Sequence, residues 1–505
     1  MKLFSPAISR LARIRHWRIE QWMQHPTEAQ REVLQDLVSF GQFTEFGRKY
    51  GMNKLFNLHD FKKAIPIHSY DDLKPYIERL MMGEQNLLWN TPVKWFAKSS
   101  GTTNDKSKFI PITDESLQYN HFQASKDVLT MYYNVNHNSD LLTGKGLLIG
   151  GSHQINPLND EAMYGDLSAV LFQNTPIWAN WIRTPELAVA LMDDWETKIE
   201  KIAQQTISEN VTSISGVPTW SLVLLKRILE ITGKKTISEV WPNLELYLHG
   251  GVAFTPYKEQ FNSIIGKQIH YLNMYNASEG FFAAQNNPNE NGMVLFLEHG
   301  IFYEFMPVEE YGTTNPQTIG LQDVELEKNY AIIISTNGGL WRYLVGDTIC
   351  FTSLQPFKIN VTGRLKHYIN AFGEELIVDN SDKAIAIACQ KCEVVVCDYT
   401  AAPIYFSNHT KAAHEWLIEF EKAPNNLQQF AYELDDALKN INSDYEAKRH
   451  KDIALQMPKI QAVPKNTFNN WLKLKGKLGG QHKVPRLNNE RNFIEEIKQL
   501  MENKV

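Results

Sequence analysis

Four cysteines in 505 residues are too few for a disulfide scaffold. Three of them, Cys389, Cys392 and Cys397, stand close together. A zinc site would still need a fourth ligand, and Val394-Val395-Val396 reads as a buried strand, so buried thiols of a cytoplasmic protein are expected there. No apolar run is long enough to span a bilayer. Arg10, Arg13, Arg15 and Arg18 follow Met1-Lys2-Leu3-Phe4 without a continuous apolar stretch, so neither a secretory leader nor membrane attachment is expected. There is no excess of basic charge either: the formal net charge is -6, which gives no reason to expect nucleic acid as a partner. Internal repeats and low-complexity tracts are absent.

What remains is a globular composition, 43% apolar with 21% charged residues and mean hydropathy -0.35. The length exceeds what one core usually holds, so two or more domains are expected. Helical spacing runs through Trp17, Ile19, Trp22 and Met23, and again through Val33, Leu34, Leu37 and Val38, with Phe40, Phe43 and Phe46 expected in the same layer. Ser69 with Asp71 and Asp72 starts another helix. Strands and helices then alternate: strands at 146–149, 212–215, 244–248 and 270–274, helices at 117–133, 187–207, 220–232 and 256–265. This alternation indicates an α/β core. Strands dominate from 293 to 364. Thr336-Asn337-Gly338-Gly339 is a hairpin signal leading into a strand at 340–343. Beyond about residue 367 a smaller α+β domain is expected.

Four segments can carry chemistry. Lys98-Ser99-Ser100-Gly101-Thr102-Thr103-Asn104-Asp105-Lys106-Ser107-Lys108 joins two predicted strands. Its glycine permits close backbone approach, and its hydroxyls and three lysines suit a polyphosphate. It is neither a Walker A loop nor a Rossmann fingerprint, and a polar hairpin turn is the plain alternative. Tyr275-Asn276-Ala277-Ser278-Glu279-Gly280 follows a predicted strand. There a tyrosine can cover a base and a glutamate can hold Mg²⁺; a solvent-facing turn is the alternative. Arg342-Tyr343-Leu344-Val345-Gly346-Asp347 and Gly363-Arg364-Leu365-Lys366 offer an acid after a strand for ribose hydroxyls and an arginine fork for ribose and phosphate, or else surface ion pairs. Gly479-Gly480-Gln481-His482-Lys483-Val484-Pro485-Arg486 sets a lysine after two glycines, able to swing onto developing negative charge; alone it reads as a basic exposed loop.

Taken in order, these segments resemble the GH3 family of acyl-acid amido synthetases. That family lies in the acyl-adenylate-forming (ANL) superfamily, beside firefly luciferase and acyl-CoA synthetases. Ser99 to Thr103, continuing to Lys108-Phe109-Ile110-Pro111, resembles the family's first ATP motif. Tyr275 to Glu279 resembles its tyrosine–serine–glutamate motif, with Asn276 and Ala277 departing from the usual residues. Tyr343 to Asp347 resembles its glycine–aspartate motif. Gly363 to Lys366 resembles the hinge, where His367 replaces a more usual acidic residue. Gln481 to Arg486 resembles the C-terminal lysine motif. The overall look is that of the bacterial branch.

The resemblance implies the ANL fold: a large N-terminal α/β domain with a β-barrel-like part, residues 1–366, and a small mobile α+β domain, residues 367–505. It implies ATP-dependent activation of a small carboxylic acid as an acyl-adenylate, with Mg²⁺. Transfer to an amine, usually an amino acid, then releases AMP. A coenzyme A ligase and a non-catalytic nucleotide-binding protein are the alternatives. Lys483, Glu279 and Thr103 would be catalytic, with Glu279 on Mg²⁺. Ser99, Ser100, Gly101, Thr102, Thr103, Gly251, Val252, Ala253, Tyr275, Asn276, Ala277, Ser278, Glu279, Asp347 and Arg364 would bind ATP. Val217, Trp220, Leu224 and Phe254 would line the acid pocket, and Lys366 and His367 would form the hinge.

Overall fold

The computed structural model describes the chain apart from residues 1–4, 56, 100–107, 151–154, 160, 177–178, 180, 193, 252–253, 255–256, 366–367, 370, 372–373, 375, 405–411, 450–454, 477–482 and 503–505. The chain divides into two compact units. One holds Met1–Val252 and Ile264–Asn360; the other holds Ala253–Ser263 and Val361–Val505.

Strands β1 (Trp95–Ser99), β2 (Lys108–Ile112), β3 (Lys145–Leu148), β4 (Asn156–Pro157) and β5 (Met163–Gly165) come first. They are followed by β6 (Arg183–Thr184), β7 (Val211–Gly216), β8 (Leu246–Gly250), β9 (His270–Ala277) and β10 (Gly280–Ala284). Then come β11 (Met293–Leu295), β12 (Ile301–Pro307), β13 (Asn329–Thr336), β14 (Tyr343–Leu354) and β15 (Phe357–Arg364). A four-stranded sheet has the order β2-β1-β5-β4, and an eleven-stranded sheet the order β12-β13-β14-β15-β11-β10-β9-β8-β7-β3-β6. The β6, β3, β7, β8 and β9 ladders are parallel. Strands β10 to β15 continue this same sheet through antiparallel pairs.

Helices fix the sheet by burying one stripe each. Leu73, Ile77 and Leu80 of Tyr70–Met81 are fully buried in the same core as Leu246, Leu272, Ile332 and Tyr343. Each such aliphatic side chain contributes about 1.5–3 kcal/mol over leaving it in water. Ser69 and Asp72 form a capping box at the expected start of that helix. Gly233, in the left-handed conformation, ends the helix Pro218–Thr232.

Three local expectations are corrected. Residues 187–207 are two helices, Leu187–Ala190 and Trp195–Thr206, because Asp194 accepts from the Thr197 N–H and caps a new start. Phe46 is core, but Phe40 and Phe43 are 45% and 59% exposed, at and beyond the end of the helix Pro26–Gly41. Residues 340–342 do not extend a strand: Arg342 has φ +42, and the Trp341 indole turns inward to donate to the Leu88 carbonyl at 2.9 Å.

The second unit carries β16 (Tyr368–Ile369), β17 (Leu376–Ile377), β18 (Val395–Ile404), β19 (Ala413–Lys422) and β20 (Lys459–Val463). The last three form a sheet, antiparallel between β18 and β19 and parallel between β19 and β20. Helices Val378–Cys392 and Leu427–Ile441 bury Ile385, Phe430 and Leu434 with Trp416 and Ile418 of β19. Cys389, Cys392 and Cys397 are not in disulfides, and each is only partly buried. Among the described residues no helix is long and apolar enough to cross a membrane.

Candidate active site

Parallel strands β7, β8 and β9 all end on one side of the sheet, where α/β proteins take their ligands. Two glycines shape the end of β8. A Cβ on Gly250 would lie 2.5 Å from the Met274 carbonyl oxygen of β9, and Gly251 has φ +85. Strand β9 then turns directly into β10. Ala277 pairs with Gly280, so Ser278 and Glu279 are the two residues of a tight hairpin rather than a loop after a strand. Ser278 is 3% exposed and its hydroxyl has no hydrogen-bond partner in the structure. Glu279 is half-buried beside it.

Asp347 lies inside β14, not after a strand as expected. Leu344 pairs with Ile333 and Thr348 with Ala331, so four steps on β14 face two on β13, and Gly346 takes φ +92 in the bulge. A bulge re-aims a side chain. Here it brings the 7%-exposed Asp347 to the Tyr275 hydroxyl, which donates to Oδ2 at 2.8 Å. Tyr343, at the start of β14, is fully buried. Burial, with Glu279 nearby, raises its ionisation well above the ordinary phenol range, so it stays a donor. Its hydroxyl makes a long contact of 3.5 Å to Glu279 Oε1 and accepts from Lys108 Nζ at 3.4 Å. That ammonium also lies 5.6 Å from the Tyr70 ring centre and 6.0 Å from that of Tyr343. The Tyr70 hydroxyl accepts from the Phe109 N–H at 2.9 Å, anchoring the start of β2.

Residues from three distant segments, 108, 275–279 and 343–347, therefore converge within one unit. Tyr70, Lys108 and Tyr343 belong to this cluster although none stood among the expected site residues. Lys108 and Tyr343 were inside the motifs; Tyr70 carried no signal beyond following a helix cap. Ser99 closes β1 opposite Lys108. Asn276 is exposed and Ala277 half-buried. Val217 and Trp220 are half-buried around the start of the helix Pro218–Thr232, and Leu224 is fully buried within it. Phe254, in the second unit, packs edge-on against Phe261 at 5.2 Å. Arg364, the last residue of β15, and Lys483 are both exposed in that unit. Ser100, Gly101, Thr102, Thr103, Val252, Ala253, Lys366 and His367 lie outside the described residues.

Arg342, just ahead of the Tyr343–Asp347 motif, is a structural residue. Its Nε and Nη2 donate to both Glu304 oxygens at 2.8 Å, and Nη1 donates to the carbonyls of Lys62 at 3.0 Å and Ile65 at 2.6 Å. With its fork fully engaged it is held in the core, 5% exposed.

Residues 15–269 match the GH3 family N-terminal domain, 294–364 the GH3 family central domain and 379–492 the GH3 family C-terminal domain. The chain is similar to an indole-3-acetic acid-amido synthetase, GH3.3 of Arabidopsis thaliana, at 23% identity over 93% of this chain and 90% of that one. It is similar to the jasmonoyl–L-amino acid synthetase JAR4 of Nicotiana attenuata at 23% identity, over 90% of each chain. The fold is that of the solved GH3.15 acyl acid amido synthetase: TM-score 0.78, 18% identity, 96% of this chain and 95% of that one. A 2-hydroxyisobutyryl-CoA ligase in its postadenylation state shares it at TM-score 0.59 and 11% identity, over 94% and 91%. Because the first of the three domain matches alone spans half the sequence, and the motifs fall in order within one architecture, the chain belongs to the GH3 family.

Proposed function

We propose that this protein activates a small carboxylic acid with ATP, releasing pyrophosphate, and transfers the acyl group to an amine, an amino acid, releasing AMP. One observation carries this reading: a cation, a carboxylate at a tight hairpin, and a tyrosine-held aspartate gather where parallel strands end. The buried Ser278 hydroxyl, unpaired in the structure, adds a polar group that a ligand would satisfy.

In the first step a carboxylate oxygen of the acid attacks the α-phosphorus and pyrophosphate leaves. Ser99, Ser100, Gly101, Thr102 and Thr103 hold the β- and γ-phosphates. Gly251, Val252, Ala253 and residues 275–278 line the adenine. Asp347, oriented by the Tyr275 hydroxyl, accepts from the ribose hydroxyls, with Arg364 assisting. Lys483 bridges the entering carboxylate and the α-phosphate, stabilising charge as it develops. Glu279 would hold Mg²⁺, an ion that takes carboxylate oxygen as a ligand. When bound, Mg²⁺ neutralises phosphate charge.

Val217, Trp220 and Leu224 would offer the acid an apolar wall with aromatic surface, and Phe254 would be a further acid-binding residue. The small domain begins near residue 367 and pivots at Lys366 and His367, withdrawing Lys483 before the amine attacks the acyl carbonyl. The relatives are named for indole-3-acetic acid, jasmonate and 4-substituted benzoates at 21–24% identity, so none singles out the acid. They are named as amido synthetases or amino-acid ligases, which supports the amine acceptor. A bacterial branch and a cytoplasmic setting belong to this proposal on the motif resemblance; the relatives named here are plant enzymes.

The test is a pyrophosphate-release screen of small carboxylic acids, repeated with hydroxylamine, amino acids and coenzyme A. Release that needs an acid, with amide or hydroxamate as product, is expected. Thioester as the sole product would make it a coenzyme A ligase, and no release with any acid would overturn activation altogether.

A further inference from the structure

The second unit buries an ion cluster that the proposed chemistry does not use. At its centre is Arg486, whose side chain is 12% exposed. Its Nη1 donates to Asp398 Oδ1 and Nη2 donates to the Tyr257 hydroxyl at 3.0 Å. Its Nε lies 3.8 Å from Asp382 Oδ1, and its plane sits 4.4 Å from the centre of the Tyr399 ring. The partners are themselves fixed. The Tyr399 hydroxyl donates to Asp382 at 2.6 Å, and that of Tyr257 donates to the Cys397 carbonyl at 3.2 Å.

The backbone on either side is held as firmly. Thr400 Oγ1 donates to the Pro485 carbonyl at 2.6 Å, the Ala401 N–H donates to the Arg486 carbonyl at 2.8 Å, and the Asn488 N–H donates to the Ala401 carbonyl at 3.1 Å. Leu487 forms a parallel bridge with Ala401, extending the edge of β18. Val484 and Leu487 are core residues. Lys483 precedes this docked stretch by one residue and is exposed.

Apolar anchors at 484 and 487 already attach the segment, and a buried ion cluster adds little net stability over apolar packing. What it does supply is direction. A guanidinium held by two carboxylates, a phenol and a ring face has one orientation, which an ammonium cannot reproduce. We propose that Arg486 is a positioning residue for Lys483: the Asp398–Asp382–Tyr257–Tyr399 cage fixes the arginine, and the arginine fixes where the lysine stem begins. This rests on the reading of Lys483 as the adenylation lysine.

Two measurements on the full chain test it. The first is ATP–pyrophosphate exchange with the carboxylic acid giving fastest release in the screen above. Arg486→Lys should lower kcat at least tenfold with KM for ATP within twofold. In a Lys483→Ala background it should cost nothing more. Tyr257→Phe keeps the ring and removes one hydroxyl; a several-fold fall in kcat is expected from a folded variant. Exchange within twofold of wild type in Arg486→Lys, or the same fold-loss repeated in the Lys483→Ala background, overturns the proposal. If Lys483→Ala itself exchanges normally, the lysine reading fails and this one with it.

The second needs no acid. The chain is reductively methylated with ¹³C-formaldehyde, and the Lys483 signal is assigned by its loss in Lys483→Arg. A shifted or broadened signal in Arg486→Lys and Tyr257→Phe supports positioning. An unchanged signal in both overturns it, whatever the screen finds.

Discussion

His121 is 2% exposed, in the π-helical turn Ser116–Phe122, and loss of water pushes its imidazole down to about 4 from 6.5. The folded chain keeps the ring neutral, whereas the unfolded chain protonates it near 6.5. Between these values the unfolded state binds more protons, so stability rises with pH across the window. The contribution is complete above about 6.5 and lost as pH falls toward 4, roughly 3 kcal/mol at most. His121→Gln should flatten the pH dependence of the urea midpoint there; parallel curves for variant and wild type would assign the slope to other groups. Asp347 is argued at the same scale. On the proposed reading, a buried carboxylate already oriented by a phenol would meet ribose hydroxyls with little ordering cost, and bonds to charged groups contribute about 1.5–3 kcal/mol. Asp347→Ala should therefore weaken ATP binding by roughly ten- to a hundred-fold in calorimetry. An unaltered dissociation constant would remove it from the site.

Among the elements, the Arg342–Glu304 pair joins the β13–β14 turn to β12 and to the end of the helix Leu58–Ala64 through the carbonyls of Lys62 and Ile65. Removing one partner strands a buried charge, at about 3–5 kcal/mol. Arg342→Met should lower the thermal midpoint sharply, and adding Glu304→Gln should restore part of it; strictly additive losses would mean the two residues act separately. The same elements show where sequence reading reaches its limit. Strands β3, β7, β8 and β9 of the parallel half were legible as short segments bounded by turn residues, whereas the two-residue β6, Arg183–Thr184, carried no such signal. Strand β10 was not, since all five residues of Gly-Phe-Phe-Ala-Ala are buried and give no alternation. The Tyr275–Gly280 motif was expected as a loop after a strand and not as a hairpin, because its turn is set by pairing with β10. The break between 190 and 195 depends on the Asp194 cap, which a helical apolar stripe does not reveal.

At the scale of the whole molecule, the order of the motifs was legible because each is local. What pairing builds was not: the Tyr343–Glu279 and Tyr275–Asp347 contacts span 64 and 72 residues, and Arg486 meets Asp398 across 88. Glu279 and Asp347 belong to one unit and Lys483 to the other. If Lys483 acts only on the developing charge at the α-phosphate, its loss should be confined to acid activation. Lys483→Ala should slow ATP–pyrophosphate exchange by roughly 10²–10³-fold, the scale of one charge-stabilising contact, with ATP affinity nearly intact. Given a synthetic acyl-adenylate and an amino acid, the variant should form the amide at close to the wild-type rate, since the acyl carbonyl is then already activated. Rapid-quench measurement of both half-reactions on one preparation decides it. Equal slowing of the two would make Lys483 a general structural residue, and unaltered exchange would take it out of the reaction.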